Sequence, residues 1–298
     1  MKEYNVVIIG CGVAGMTAAI YLARAGISCC ILEANMPGGQ IVDNATIENY
    51  PGFSKISGSD LALHILKQVQ NLHVPIFYQA VQSIKIENNK KVITTVKDTY
   101  QASFVIIATG RHSRKLEVED ESSLVHKGLS YCAVGDGALY KNKSVVVIGG
   151  GNSAFEAVYY LSKIAASVVL VHRSKCYRAQ KVLQDKVFSL SNVSFVEGEV
   201  QQIITDDTHT KITSVLLNSQ QKLECDAVFA YIGKQPNTQV FSDLGICDEQ
   251  SYITVNDTYQ TAIPGIFAVG DCILKQDYQI VIAMSEAVQV ALKIAREE

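Results

Sequence analysis

A strand, a glycine-rich turn, a helix and a second strand occur twice in this chain, and that repetition constrains the fold more than any other feature. Residues 5–33 run N-V-V-I-I-G-C-G-V-A-G into an apolar, small-residue helical stretch ending at Ala25-Gly26, then S-C-C-I-L-E. Residues 144–173 repeat the plan as S-V-V-V-I-G-G-G-N-S-A, F-E-A-V-Y-Y-L-S-K-I-A and S-V-V-L-V-H-R. Continuous β-branched runs mark strands buried on both faces, as in a parallel sheet covered by helices. The pattern predicts an α/β chain with two Rossmann-like, three-layer (ββα) dinucleotide-binding domains.

Each glycine set has a physical reason. Gly10, Gly12 and Gly15 form G-x-G-x-x-G directly after a strand. The first permits the tight turn, the second lets backbone approach a pyrophosphate, and the third allows close helix packing. Gly149, Gly151 and Ala154 give the G-x-G-x-x-A form. In both copies the following helix N-terminus offers N–H groups and a positive dipole end to a diphosphate.

The residue closing the second strand separates the two sites. Glu33 ends the first copy, where an acid accepts hydrogen bonds from a ribose diol. His172 ends the second, followed by Arg173 and Arg178. Guanidinium groups bind a 2′-phosphate in bidentate fashion, whereas an acid repels it. The second site is therefore expected to take NADPH; the competing reading makes these three residues a solvated surface.

With 298 residues, two domains are expected. A net charge of −3 and no long basic block give no field for nucleic acid. The longest apolar runs, Ser144 to Ile148 and Ala166 to Val171, are strand-length and no membrane span is expected. The first residues enter a strand pattern at once, which speaks against a secretory leader. Eight scattered cysteines do not read as a secreted disulfide framework, so a reducing cytoplasm is the expected location. Between the copies, Val74 to Tyr78, Val81 to Ile86, Val92 to Val96 and Phe104 to Ile107 read as strands. Near the end, I-F-A-V-G-D-C (266–272) reads as a buried strand with Asp271 at its carboxyl end, before an apolar helix from about Gln279. Ligands bind at carboxyl strand ends in such sheets, which makes Asp271 a candidate for a ribityl hydroxyl; a turn cap is the alternative.

Taken in order, G-C-G-V-A-G, M-P-G-G-Q (36–40), E-N-Y-P-G (48–52), A-T-G (108–110), S-Y-C-A-V-G-D-G (130–137), I-G-G-G-N-S-A, H-R-S-K-C-Y-R-A, Y-I-G-K-Q-P-N-T and V-G-D-C resemble the low-molecular-weight thioredoxin reductases and their ferredoxin-NADP reductase-like relatives. The resemblance implies a discontinuous FAD-binding domain (1–113 and 245–298), an NADPH-binding domain (114–244) carrying Cys132, a homodimer, and rotation between domains. It implies that Gly10, Gly12, Gly15 and Glu33 hold the ADP half of FAD. Gly39 and Gln40 would line the pyrophosphate and Asn49 the isoalloxazine. Gly110, Gly270, Asp271 and Gln279 would complete that site, with Asp271 on the ribityl chain. Gly149, Gly151, Asn152, Ser153, His172, Arg173 and Arg178 would hold NADPH, with NADH also admissible. The pair implied for catalysis is Cys132 and Asp136, and no metal is implied.

The departures bear on function. The family motif is Cys-x-x-Cys, and here Gly135 stands at the second thiol. The paired arginines after the histidine are reduced to Arg173 and Ser174. Where the family has Tyr-Arg-Gln and A-G-x-G, this chain has Asp277-Tyr278-Gln279 and Met284-Ser285-Glu286-Ala287, so a reshaped flavin pocket is expected. A dithiol takes up two electrons by closing a ring between two sulfurs, and Gly135 has no sulfur to contribute. Among the remaining cysteines Cys272, beside Asp271, is the least implausible partner for Cys132. Three functions follow. The first is an NADPH-oxidising flavoenzyme passing electrons directly to ferredoxin, flavodoxin, a quinone or a small oxidant. The second is a thioredoxin, disulfide or peroxide reductase using Cys132 with Asp136 as proton donor. The third is a nucleotide-responsive sensor with little turnover.

Overall fold

The computed structural model describes every residue except Ala45 and His126. The chain forms two compact units, one of Met1–His112 with Gln235–Glu298 and one of Ser113–Lys234.

In the first unit the apolar run of the first repeat becomes strand Lys2–Ile9, whose last four residues are fully covered. It lies between strands Cys29–Glu33 and Thr99–Ile107, parallel to both. Ile76–Tyr78 extends one side in parallel, and the antiparallel hairpin Val81–Glu87 and Lys90–Thr95 extends the other. The hairpin pairs with the first half of Thr99–Ile107, and the late strand Ile266–Ala268 pairs in parallel with its second half. The sheet thus has seven strands.

Alternate residues of Lys2–Ile9 point into two cores. Val6 and Ile8 pack under helices Val13–Arg24, Gly58–Asn71 and Ile280–Glu297, while Val7 and Ile9 meet Phe241, Ile246 and Ile253 on the other face. Helix Gly58–Asn71 starts where the Ser57 hydroxyl accepts from the Asp60 amide at 3.0 Å. Such a cap stabilises a helix by about 1 kcal/mol. Met16 and Leu22 of the first helix are fully buried, and each contributes roughly 1.5–3 kcal/mol of transfer free energy.

In the second unit five parallel strands run in the spatial order Val193–Glu197, Ser167–His172, Ser144–Ile148, Ala227–Ala230, Leu129–Ser130. Helix Asn152–Leu161 covers one face through Ala154, Phe155, Val158 and Leu161. The other face packs on an antiparallel sheet of Val200–Thr205, Ile212–Leu217 and Lys222–Glu224, which supplies Ile203, Val215 and Leu217. The α/β architecture with parallel sheets agrees with the fold class read from the repeats, and the first unit is discontinuous in sequence, as the resemblance implies. No described helix is long and apolar enough to cross a membrane.

Candidate functional site

In the first unit the turn after Lys2–Ile9 is shaped by what no side chain could share. Gly10 has φ +108°, and a Cβ there would run into the Ala108 carbonyl. A Cβ on Gly15 would collide with the Gly10 carbonyl oxygen, so only glycine lets the helix start sit against the turn. Gly12 is different. It is the N-cap of helix Val13–Arg24 in an extended conformation, and a Cβ there would meet nothing nearer than the Gly39 Cα at 3.9 Å. A helix N-terminus with no side-chain cap and only glycine backbone opposite is what an entering diphosphate requires. Gly39 lies opposite, its own Cβ position 3.2 Å from the Gly12 Cα, and the Gly38 amide donates to the Cys11 carbonyl at 2.8 Å.

The other expected residues of this unit are joined in small groups, of which Glu33 is bonded to the turn itself. Glu33 ends its strand with one carboxylate oxygen accepting from the Cys11 amide at 2.6 Å and the other from the Asn35 amide at 2.8 Å. Gln40 donates to Asp271 at 3.1 Å, and Asn49 donates to Gln279, the N-cap of helix Ile280–Glu297, at 3.2 Å. Gly110 has φ +64° and its carbonyl accepts from the Asn237 amide at 3.0 Å. The Gly270 amide donates to the buried Glu286 carboxylate at 2.7 Å, which Lys275 neutralises at 2.5 Å. Among the described residues the Thr109 hydroxyl is buried without a hydrogen-bond partner. A buried unsatisfied hydroxyl costs about 1–3 kcal/mol, so this one is suited to a ligand partner. A bare helix start, facing glycine backbones, a carboxylate at the second strand end and a waiting hydroxyl fit the ADP and pyrophosphate of FAD.

Sequence reasoning missed Arg111. It donates to Asp271 through Nε at 3.3 Å and Nη2 at 3.1 Å, and its guanidinium carbon stands 3.5 Å over the Tyr278 ring centroid. Tyr278 stands where the family's Tyr-Arg-Gln has its arginine, and a guanidinium lies against it, delivered from the distant Arg111. Burial, with a hydrogen bond to Tyr252, pushes the Tyr278 phenol up to about 12.

The second unit repeats the glycine logic. Gly149 has φ +145°, and a Cβ would strike the Tyr231 carbonyl; one on Gly150 would strike the His172 ring; Gly151, an extended N-cap, faces open space. A cleft of about 120 Å³ opens beside it, lined by Asn152, Ser153, Arg178, Tyr231 and Lys234. Asn152 accepts from the Gln180 amide at 2.7 Å, and the Arg178 amide donates to the Gly150 carbonyl at 2.8 Å, which folds the Arg178 loop over the turn. Burial, then the charges of Arg173 and Arg178, hold the His172 imidazole below its ordinary pKa. His172 also stacks against Tyr177 with centroids 5.6 Å apart. The neutral ring beside two exposed guanidinium groups and an open N-cap fits a phosphorylated adenosine ribose with its diphosphate. Tyr231 and Lys234 were not foreseen, because only the return strand Ala227–Ala230 brings them to this cleft.

Cys132 caps the short helix Ala133–Asp136, its sulfur accepting from the Gly135 amide at 3.1 Å. Ser130 Oγ receives the Cys132 amide at 3.0 Å, and Tyr231 Oη receives the Ala133 amide at 2.8 Å. A Cβ built on Gly135 would lie 3.8 Å from the Cys132 Cβ. The Asp136 amide donates back to the Cys132 carbonyl at 3.1 Å. All eight cysteines are outside disulfides. Cys11, Cys29, Cys225 and Cys272 are buried with thiols pushed up to about 12, and Cys30 is raised further by the same burial. The Cys272 thiol donates to the Val269 and Ile107 carbonyls, so it is a packed core group.

The family model of the pyridine nucleotide-disulphide oxidoreductases matches residues 4–293. The chain is 42% identical over 289 residues to a thioredoxin reductase of Listeria innocua, covering 96% of this chain and 91% of that protein. It is 39% identical over 295 residues to a 34.2 kDa protein in the rubredoxin operon of Clostridium pasteurianum, covering 98% and 96%. The crystal structure of Lactococcus lactis thioredoxin reductase in its FR conformation matches with a TM-score of 0.93 at 39% identity, covering 99% of this chain and 100% of that one.

Proposed function

The chain belongs to the pyridine nucleotide-disulphide oxidoreductase family as a thioredoxin reductase-like, NAD(P)H-dependent FAD oxidoreductase, and from that premise we propose that it passes electrons from NADPH to an external acceptor without cycling a dithiol between positions 132 and 135. The observation that carries this reading is Gly135, which leaves the turn with one sulfur. Burial of Cys11, Cys29, Cys30, Cys225 and Cys272 keeps those thiols protonated and out of exchange, since the thiolate is the attacking species.

In this reading Met1–His112 with Gln235–Glu298 binds FAD, and Ser113–Lys234 binds NADPH. Bound FAD supplies the chemistry of taking a hydride from nicotinamide and releasing electrons to an acceptor. The chain's residues bind and orient. Gly10, Gly12, Gly15, Gly39 and Gln40 receive the pyrophosphate, Glu33 the adenosine ribose, and Asn49, Gly110, Gly270, Asp271 and Gln279 the ribityl and ring end. Gly149, Gly151, Asn152 and Ser153 receive the NADPH diphosphate, with His172, Arg173 and Arg178 at its 2′-phosphate. The acceptor class is a small redox protein of the ferredoxin or flavodoxin kind, or a quinone. The name of the Clostridium relative, which sets it in an operon with rubredoxin, supports that class. The working state is a cytoplasmic homodimer.

One observation favours a second reading. The Cys132 sulfur accepts an amide hydrogen bond at a helix start, an arrangement that stabilises a thiolate for attack on a disulfide or peroxide, with Asp136 as proton donor. Cys132→Ser separates the two. Under the first reading the variant keeps both flavin bleaching by anaerobic NADPH and turnover with a quinone or ferredoxin. Loss of acceptor turnover with bleaching intact would transfer the function to Cys132. A parent protein that NADPH fails to bleach would refute both.

A further inference from the structure

Gln40 Nε2, Arg111 Nε and Arg111 Nη2 converge on one oxygen of Asp271, Oδ2, at 3.1, 3.3 and 3.1 Å. Among the described residues, the hydrogen bonds of this carboxylate all fall on Oδ2. Arg111 is held from its other side as well. Its guanidinium carbon stands 3.5 Å from the Tyr278 ring centroid, over the ring face that supports it. The Arg111 and Asp271 side chains are only 15% and 20% exposed, so water competes weakly for the pair. A carboxylate with one oxygen saturated by cationic donors from a rigid support presents its second oxygen in a fixed direction, ready for hydroxyl donors.

We propose that Arg111 is a flavin-positioning residue: braced on Tyr278, it holds Asp271 so that Oδ1 accepts from the ribityl hydroxyls of FAD. The inference rests on placing Asp271 at the ribityl chain. Lysine does not substitute, because an ammonium offers neither the planar fork nor the stack on Tyr278. Tyr278→Phe keeps the platform and Tyr278→Leu removes it.

The test follows FAD release from holoenzyme on dilution, read as the rise of flavin fluorescence, together with NADP⁺ affinity as a check on the second unit. Arg111→Met is expected to weaken FAD retention about tenfold, the scale of one charge-assisted hydrogen-bonded pair. Arg111→Lys and Tyr278→Leu shift it in the same direction, Tyr278→Phe matches the parent, and NADP⁺ affinity is unchanged throughout. The double variant Arg111→Met, Asp271→Asn should release FAD no faster than Asp271→Asn alone, because Arg111 acts through that carboxylate. Parental retention in Arg111→Met, or additive losses in the double variant, would overturn the inference. Should Arg111→Met fail to fold, parental retention in both Arg111→Lys and Tyr278→Leu would overturn it equally. An Asp271→Asn variant that retains FAD normally refutes instead the placement of Asp271 at the ribityl chain, a separate result.

Discussion

Gly135→Cys tests whether the turn at Cys132 still has the geometry of a dithiol. The missing side chain would begin 3.8 Å from the Cys132 Cβ and 3.3 Å from its sulfur. Disulfides have Cβ separations of roughly 3.5–4.5 Å, so the backbone already places the two positions at bonding range. Gly135 does not have a positive φ, so a side chain there carries no left-handed strain. Closing a ring of about four residues restricts the unfolded chain by about 2 kcal/mol in the loop-entropy treatment, equivalent to roughly thirtyfold in the folding equilibrium. Air oxidation should therefore remove two hydrogens from the intact mass and raise the denaturation midpoint, reversibly with dithiothreitol. An anaerobic titration adds a second readout: the variant should consume one more equivalent of NADPH per flavin than the parent before excess nicotinamide accumulates. Two alkylatable thiols at 132 and 135 after prolonged oxidation would refute the geometric argument.

Two further outcomes follow from the same structure. Gly15→Ala forces a methyl into the Gly10 carbonyl, and the backbone shift is expected to destabilise the first unit by about 1–3 kcal/mol and to impair FAD retention, measured by thermal unfolding and by flavin release. Because His172 is held below its ordinary pKa, the unfolded chain binds its proton first as pH falls. The second unit should hold its full stability above the ordinary histidine range and lose part of it as pH drops through that range; His172→Asn should flatten this slope in denaturant melts, and an unchanged slope would remove His172 as its source.

The features legible in the sequence were those enforced locally. Gly15 is fixed by a backbone contact within its own turn, and the buried run Val6–Ile9 shows its two-sided covering as unbroken apolarity. The helix read from about Gln279 runs Ile280–Glu297 for the same reason. Pairings across long stretches of chain were not legible. Arg111 meets Asp271 across 160 residues, and no periodicity connects them. The sheet Val200–Thr205, Ile212–Leu217 and Lys222–Glu224 also escaped notice, because its half-exposed strands mix polar and apolar residues and its hairpins show only weak turn signals. Tyr131, which donates to the buried Glu121 carboxylate just before Cys132, gives no sign in sequence of that bond.

The strand Thr99–Ile107 receives part of its edge from Ile266–Ala268, and helix Val13–Arg24 packs on Ile280–Glu297, so the first unit stays unfinished until the ribosome has made these late segments. The unit Ser113–Lys234 is contiguous and can close during translation. At roughly 5–20 residues per second, the 186 residues from 112 to 298 take about ten to forty seconds to make. Throughout that interval the nascent chain carries a half-covered apolar sheet, and its yield in the cell depends on what shields that surface while the remainder is synthesised.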